Sequence, residues 1–585
     1  MLPRLALARR ILGVVLLLTL LTLLLAGRLF AFQIGEREGL ARAAYAQRTL
    51  ALPLAAQRGL ILDRNGVPLT DPAATWGLVL FPALVQDQVG TAKALVGLFG
   101  ERLRPVVGPS SATAVSGAKA DLQALLVARM KGAPSHQPLW LVESLSPQLL
   151  QQVQRLRLPG LQIAPSGQRY GPNSLARHLV GHLSDGTGAM GLERLYQPEL
   201  AGGAVPTLST ALNARGGSMS GGTWTVRVPG GKEPDHVWTT ISAEVQAAVE
   251  AALDKAGTDW SKANGGAPFR AAAVVLDPNT GELLAMASRP QIGQSGALCT
   301  QQGLQAGCQV NRALQAYPPG SIFKVPVAGL ALDRALWQPD GQVDCSGTYR
   351  VGTGVIKDLT GPWGSVGLPE AFAHSCNTPW AKVGVEGLGK AGMQELFRRF
   401  ELGAPTGATG LWGEASGTLP TMNWPGEVAQ AAFGQGLTAT PLQMARVFAA
   451  IANGGRLPSV RVVEAVRSPE GRVLAAPAVA PPLRVLSRET AKNLQSFLRA
   501  VTELGGEGTG QAAWVPGWGS AGKTGTAEAV GAGGRPVEHA WFAGWTPLER
   551  PKYVITVLVE EGGMGGMVAA PIFGAIGAGI RARVE

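Results

Sequence analysis

Only four cysteines occur in 585 residues, at 299, 308, 345 and 376. Their spacing is not the close paired kind that builds a metal site, so no metal is expected. Cys299 and Cys308 bracket a short polar loop, and the sequence leaves open whether they form a disulfide or stay as free thiols. Charge is also sparse, at 16% of residues, with a net value of +11. No zinc-finger spacing, RNA-binding sheet motif or helical arginine stripe accompanies that surplus, which argues against a nucleic-acid partner and is compatible with an anionic envelope surface. No internal repeat of roughly 20–50 residues is present, which excludes solenoids and propellers. What is plentiful is glycine (79) and proline (41), in a chain that is 46% hydrophobic. This is the composition of a globular protein with many turns, too long for a single core and therefore built of two or more domains.

One run stands apart. Ile11 to Gly27 (ILGVVLLLTLLTLLLAG) carries no charge and is about as short as a membrane-spanning helix can be; Leu29-Phe30-Ala31-Phe32, past Arg28, extend it. A transmembrane helix over 11–33 is expected. Arg4, Arg9 and Arg10 precede it, and basic residues stay on the cytoplasmic side, so 1–10 form a cytoplasmic tail and the chain beyond about residue 34 lies outside. A cleaved secretory signal is the competing reading, but no clear small-x-small site follows the run, and either reading exports the rest of the chain.

From 34 to 235 the patterning is modest, with amphipathic pieces such as Ser146 to Leu156 and no catalytic constellation. Gly202 to Asp235 is rich in Gly, Pro and Ser and marks a linker, so the boundary is set between 235 and 236. Beyond it, Ala271 to Leu276 and Glu282 to Ser288 flank the turn Asp277-Pro278-Asn279-Thr280-Gly281 as a hairpin. Gly522 to Ala529, His539 to Trp545 and Tyr553 to Glu560 read as three antiparallel strands, followed by a helix from about Pro571 to Arg583. Residues 320–520 carry helical patterns and loops. The expected fold class is α+β, a sheet flanked by helices.

Three motifs in this region carry chemistry. Pro319-Gly320-Ser321-Ile322-Phe323-Lys324 opens an apolar helix, and residues three apart share a helix face, so the Lys324 amine can reach the Ser321 hydroxyl. A serine needs a base to become a nucleophile, and a lysine is one only if burial or a nearby cation lowers its pKa. Pro326 is expected to kink the helix just past Lys324. Ser375-Cys376-Asn377 fits a loop that aims Ser375 and Asn377 into a cleft, the first to relay a proton and the second to hold a substrate amide or the lysine. Lys523-Thr524-Gly525-Thr526 lies on the first C-terminal strand, where a lysine and hydroxyls bind a carboxylate and Gly525 lets substrate backbone approach. The backbone N–H groups of Ser321 and Thr526 are candidates for an oxyanion hole. Each motif alone is weak; a polar turn or a surface lysine explains it.

Their order and their spacing of about 50 and about 150 residues resemble the set shared by penicillin-binding proteins and class A β-lactamases. The chain resembles a class B penicillin-binding protein over nearly its whole length. Arg58-Gly59-Leu60-Ile61-Leu62-Asp63-Arg64-Asn65-Gly66 looks like the opening of that family's non-catalytic pedestal; Arg169-Tyr170, Ala176, His178 and Gly188 to Glu193 look like later pedestal blocks. Thr239-Thr240-Ile241 with Gln246 looks like the start of the transpeptidase domain, and Phe433-Gly434-Gln435-Gly436 with Thr440-Pro441-Leu442-Gln443-Met444 is similar to a block between the second and third motifs. The resemblance implies a pedestal or dimerisation domain over 34–235 and a penicillin-binding transpeptidase domain over 236–585. It implies Ser321 as acylated nucleophile, Lys324 as its base, Ser375 and Asn377 as the second catalytic element, and Lys523, Thr524, Gly525 and Thr526 as the carboxylate-binding strand. It further implies a single-pass plasma-membrane enzyme without cofactor that cross-links peptidoglycan stem peptides, binds β-lactams, and works beside a polytopic glycan polymerase of the SEDS type. No paired-Glu glycosyltransferase block precedes residue 235, which disfavours a bifunctional enzyme. A D,D-carboxypeptidase and an anchored β-lactam sensor or scaffold remain as alternatives; a β-lactamase is disfavoured by the anchor and the extra N-terminal sequence.

Overall fold

A computed structural model describes residues 2–35, 37–40, 49–53, 58–70, 76–103, 119–132, 138–142, 145, 147–165, 170, 174–184, 187–202, 207–211, 225–227, 232–292, 307–408 and 410–585. The uncharged N-terminal run forms α1 (Leu2–Phe30), continued by a π-helical turn over Ala31–Gly35. Its stretch Arg10–Ile34 is long and apolar enough to cross a membrane, and none of it is buried in the protein.

Two compact units interleave along the chain. The first comprises Met1–Ala56, Ala74–Gly167 and Ala204–Gly231. Its core is a three-stranded antiparallel sheet of β1 (Trp76–Leu80), β2 (Leu139–Val142) and β3 (Leu161–Pro165) with β1 in the middle, packed with α2 (Gln88–Phe99), α3 (Lys119–Gly132) and α4 (Pro147–Leu156). The second unit comprises Gln57–Ala73, Gln168–Gly203 and Lys232–Glu585. The cut expected between 235 and 236 therefore does not follow the compact units: two segments before it fold with the C-terminal part. The first is tied there by Asp63, which caps its own turn by accepting from Asn65 N and Val67 N at 2.7 and 2.8 Å and also accepts from Ala243 N at 3.0 Å.

In chain order the second unit contains α5 (Ala243–Ala263), β4 (Ala271–Leu276), β5 (Leu283–Arg289), a 3-10 turn over Gly320–Phe323, α6 (Lys324–Asp333), β6 (Gln342–Cys345), β7 (Thr348–Val351), β8 (Gly354–Lys357) and β9 (Gly364–Gly367). There follow α7 (Leu368–Ala373), α8 (Thr378–Lys382), α9 (Pro441–Ala452), α10 (Arg488–Thr502), β10 (Ala521–Val530), β11 (Pro536–Thr546), β12 (Tyr553–Val559) and α11 (Gly565–Val584). The main sheet is antiparallel with order β5-β4-β12-β11-β10, so the expected hairpin and the three expected C-terminal strands join in one sheet. Residues alternate across it. Ala271, Ala273 and Val275 pack in the cluster that holds α5 and α11, while Ala272, Val274 and Leu276 pack in the cluster that holds α6, α9 and α10. Both faces are covered, which is why β4 reads as a continuous apolar run. The last helix begins six residues earlier than Pro571, which sits inside it. Residues 320–520 also contain short strands, β6 to β9 among them, that the helical reading of this region does not include.

Candidate active site

Ser321 sits on a turn pressed between two backbones. Gly320 has φ of +56°, and its N–H donates to Gly434 O at 3.0 Å; a Cβ at Gly434 would lie 2.0 Å from Gly320 O, and one at Gly320 would lie 2.8 Å from Thr526 O. Only glycine fits both places. Ser321 is thereby held beside β10 at 8% exposure. Pro326 produces no break, and α6 runs on to Asp333. The α-helical geometry starts only at Lys324, so Pro326 falls in the first turn, where an N–H has no partner to lose. The block that follows Gly434 is structural as well: Thr440 and Gln443 form a capping box on α9, with Thr440 N donating to Gln443 Oε1 at 2.7 Å and Gln443 N to Thr440 Oγ1 at 3.0 Å.

The two lysines of the motifs are fully buried in one polar pocket. Lys324 Nζ donates to Ser375 O at 2.6 Å and Asn377 Oδ1 at 2.8 Å, with Ser375 Oγ at 3.4 Å. Lys523 Nζ donates to Ser375 Oγ at 2.8 Å and Thr524 O at 3.2 Å. Ser375 Oγ therefore stands between both amines. Burial, and then the neighbouring Lys523 charge, hold the Lys324 amine well below the usual lysine range against the opposing pull of Asp358. Burial pulls Lys523 down to about 7. The indole of Trp380 closes the pocket, 5.4 Å from the Lys324 amine, and its Nε1 donates to Lys324 O at 2.8 Å.

Ser375-Cys376-Asn377 does lie on a loop, between α7 and α8. Ser375 has φ of +59°, a left-handed conformation that a residue with a Cβ holds only when its surroundings enforce it. Asp358, just after β8, accepts from Asn377 N at 2.5 Å, from Thr378 N at 2.8 Å and from Thr378 Oγ1 at 2.9 Å. Asn377 Nδ2 donates to Lys357 O at 2.9 Å. Cys376 is joined to Cys345 by a disulfide. On the other wall, β10 is an edge strand, and Thr524 Oγ1 is 2.7 Å from Thr509 Oγ1. A Cβ on Gly525 would lie 3.0 Å from Pro319 O, so this glycine lets β10 approach the turn that carries Ser321. Gly565 N donates to Thr526 Oγ1 at 3.3 Å.

Lys324, Ser375, Asn377, Lys523 and Thr524 are thus joined in one hydrogen-bonded pocket, and the turn that carries Ser321 packs against the strand that carries Gly525 and Thr526. Asp358, Thr509, Trp380, Gly434 and the Cys345–Cys376 bond were not anticipated as parts of the site. The only available signal was arithmetical: with Cys299 and Cys308 set aside, two cysteines remain. Of that first pair, Cys299 lies outside the described residues, and Cys308 is disulfide-bonded.

A serine beside a buried, pKa-lowered lysine, a polar loop joining a second lysine, and an open edge strand next to both define a serine acyltransferase of the lysine-assisted kind. The family profile described as the penicillin binding protein transpeptidase domain matches residues 271–578, and that of the penicillin-binding protein dimerisation domain matches 53–204. The chain belongs to the penicillin-binding protein transpeptidase family, in the class B arrangement. It is 29% identical over 586 residues to penicillin-binding protein PbpB of Mycobacterium tuberculosis, covering 94% of this chain and 82% of that one. It is 27% identical over 537 residues to peptidoglycan D,D-transpeptidase FtsI of Escherichia coli, covering 89% and 83%. Among solved structures, penicillin-binding protein 3 from Mycobacterium tuberculosis complexed with ampicillin superposes with a TM-score of 0.61 at 25% identity, over 91% of this chain and 96% of that chain.

Proposed function

We propose that this protein is a peptidoglycan D,D-transpeptidase that works through an acyl-enzyme on Ser321 and is acylated there by β-lactams. The observation that carries the reading is the pocket in which Ser375 Oγ joins two buried lysines beside the Ser321 turn. The neutral Lys324 amine takes the Ser321 proton as Oγ attacks the carbonyl of the penultimate D-alanine of a stem peptide. The backbone N–H groups of Ser321 and Thr526 receive the oxyanion. The C–N bond breaks, and the proton passes by way of Ser375 to the amine of the leaving D-alanine. Asn377 orients Lys324 and the substrate amide. Lys523, Thr524 and Thr526 take the terminal carboxylate, while the open edge of β10, with Gly525, pairs with the peptide backbone. An amine of a neighbouring stem then attacks the ester and releases Ser321. A β-lactam presents the same electrophile and carboxylate.

The segment 236–585 is read as the transpeptidase domain and 34–235 as pedestal and linker, of which Gln57–Ala73 and Gln168–Gly203 pack within the second compact unit. The helix over 11–33 anchors the protein once in the plasma membrane with residues 1–10 in the cytoplasm, and a polytopic glycan polymerase is its membrane partner. Protease added to spheroplasts should remove the catalytic domain; its survival while known external proteins are cut overturns the topology. For the chemistry, a fluorescent penicillin should attach covalently, and peptide mass mapping should find it on Ser321. A modified peptide that excludes Ser321 overturns the assignment.

A further inference from the structure

The Cys345–Cys376 disulfide lies inside the second motif. Cys345 ends β6, Cys376 stands between Ser375 and Asn377, and their Cα atoms are 5.9 Å apart, with both side chains buried. The ring so closed spans 31 residues of sequence and contains the β7–β8 hairpin, Asp358, β9 and α7. Ser375 and Asn377 belong to no helix or strand, so regular hydrogen bonding does not fix them, and Ser375 is in the left-handed region besides. Backbone bonds from Ser375 N to Phe372 O and from Cys376 N to Ala371 O, both 3.2 Å, hold one side. Asp358 and the disulfide hold the other, and the Thr378 hydroxyl shares its proton between Asp358 and Asp344 O, the latter 3.1 Å away and next to Cys345. The groups so held are those that receive the Lys324 amine: Ser375 O, Ser375 Oγ and Asn377 Oδ1.

We propose that the Cys345–Cys376 disulfide is a positioning device for acylation, holding the Ser375–Asn377 loop against Lys324, so that the rate of Ser321 acylation depends on the oxidation state of this pair. The inference rests on the function proposed above. Formation of the bond takes two electrons and two protons from the two thiols and delivers them to a disulfide outside the cytoplasm, a thiol–disulfide exchange protein or a small-molecule disulfide, which becomes a dithiol. A misplacement of about 1 Å at such a site slows the chemical step about 100-fold.

The test uses the full-length chain in detergent with fluorescent penicillin, reading separately the fraction labelled at saturation and the first-order acylation constant of that fraction. In Cys345→Ser/Cys376→Ser the saturating fraction should stay near that of the parent, while the constant falls roughly 10- to 100-fold. The parent reduced with dithiothreitol should show the same fall and regain its rate with oxidised glutathione; a Cys299→Ser/Cys308→Ser protein should keep the parent rate and still respond to reductant. An unchanged constant in the double variant and the reduced parent overturns the inference. So does a protein that merely loses labelled fraction or unfolds, which would assign the bond to stability alone. Failure of the oxidised parent to label at Ser321 would instead bring down the functional reading beneath it.

Discussion

The cores of the two units are built on opposite terms. Around β1 to β3 the buried cluster is apolar throughout, from Leu78 and Leu80 to Leu126 and Val153, and among the described residues of that unit the only buried polar side chain is Thr91. The core of the second unit encloses Lys324, Lys523, Ser321 and Asn377 within or beside its apolar cluster. Burying an amine is costly unless it is hydrogen-bonded or its charged form becomes easier to give up; both amines are hydrogen-bonded, and burial lowers the pKa of each. The first core is organised for packing. The second accepts unfavourable burial, and the same desolvation that destabilises the charged Lys324 amine suits it to the role of base proposed above.

That contrast can be broken in several places. The largest effect is expected of Ser321→Ala, in which covalent labelling by fluorescent penicillin should vanish while the circular dichroism spectrum stays that of the parent; residual labelling of the folded variant would move the nucleophile elsewhere. Lys324→Ala should slow acylation about 100- to 10,000-fold, the range for a group that moves a proton in the transition state. A stopped-flow rate within twofold of the parent would mean that the buried amine is structural. In the other core, Leu126→Ala removes a fully buried side chain and should destabilise its unit by about 2–5 kcal/mol in denaturant unfolding while leaving the acylation constant unaltered. A matching loss of acylation would make the two cores functionally one.

Smaller effects sharpen the electrostatics. Asp358→Asn keeps one oxygen for the N–H groups of Asn377 and Thr378 but removes the acceptor of the Thr378 hydroxyl and the negative charge that raises the Lys324 pKa, so acylation should slow about tenfold and its rising limb should shift to lower pH. A shift to higher pH would contradict the sign. The smallest expected change concerns Lys523, whose proposed carboxylate binding requires its cationic form. Its amine, pulled down to about 7, loses that charge as pH rises, so the second-order acylation rate, which reports the free enzyme, should decline above about pH 7. In Lys523→Arg, whose side chain keeps its charge, that decline should disappear; its persistence would assign the limb to another group.

How much of this could be read from the chain depends on the distance over which each feature is specified. The hairpin of β4 and β5, the three C-terminal strands and the α1 helix follow from local pattern: β-rich apolar runs bounded by Asp, Pro and Gly, or one long uncharged stretch. The three motifs were legible because each is contiguous. Limits appear where neighbours in space are far apart in sequence. The start of α11 at Gly565 is masked by a glycine-rich first turn that only packing holds helical; a Cβ there would lie 2.2 Å from Gly525 O. The two-strand pairs between Gln342 and Gly367 are too short to show a period.

By itself, then, the sequence determined the three motifs and the local elements that bear them, since propensity, capping and alternation act over a few residues. The tertiary structure alone decided the order β5-β4-β12-β11-β10, which sets strands from near residue 271 beside strands from near residue 553. It also decided which segments fold together across the 235 boundary and that Cys376 pairs with Cys345. Above all it decided the state of the two lysines, because a pKa depends on what surrounds an amine, and the surroundings of Lys324 come from Ser375, Asn377, Trp380 and Lys523, each more than a helix length away along the chain.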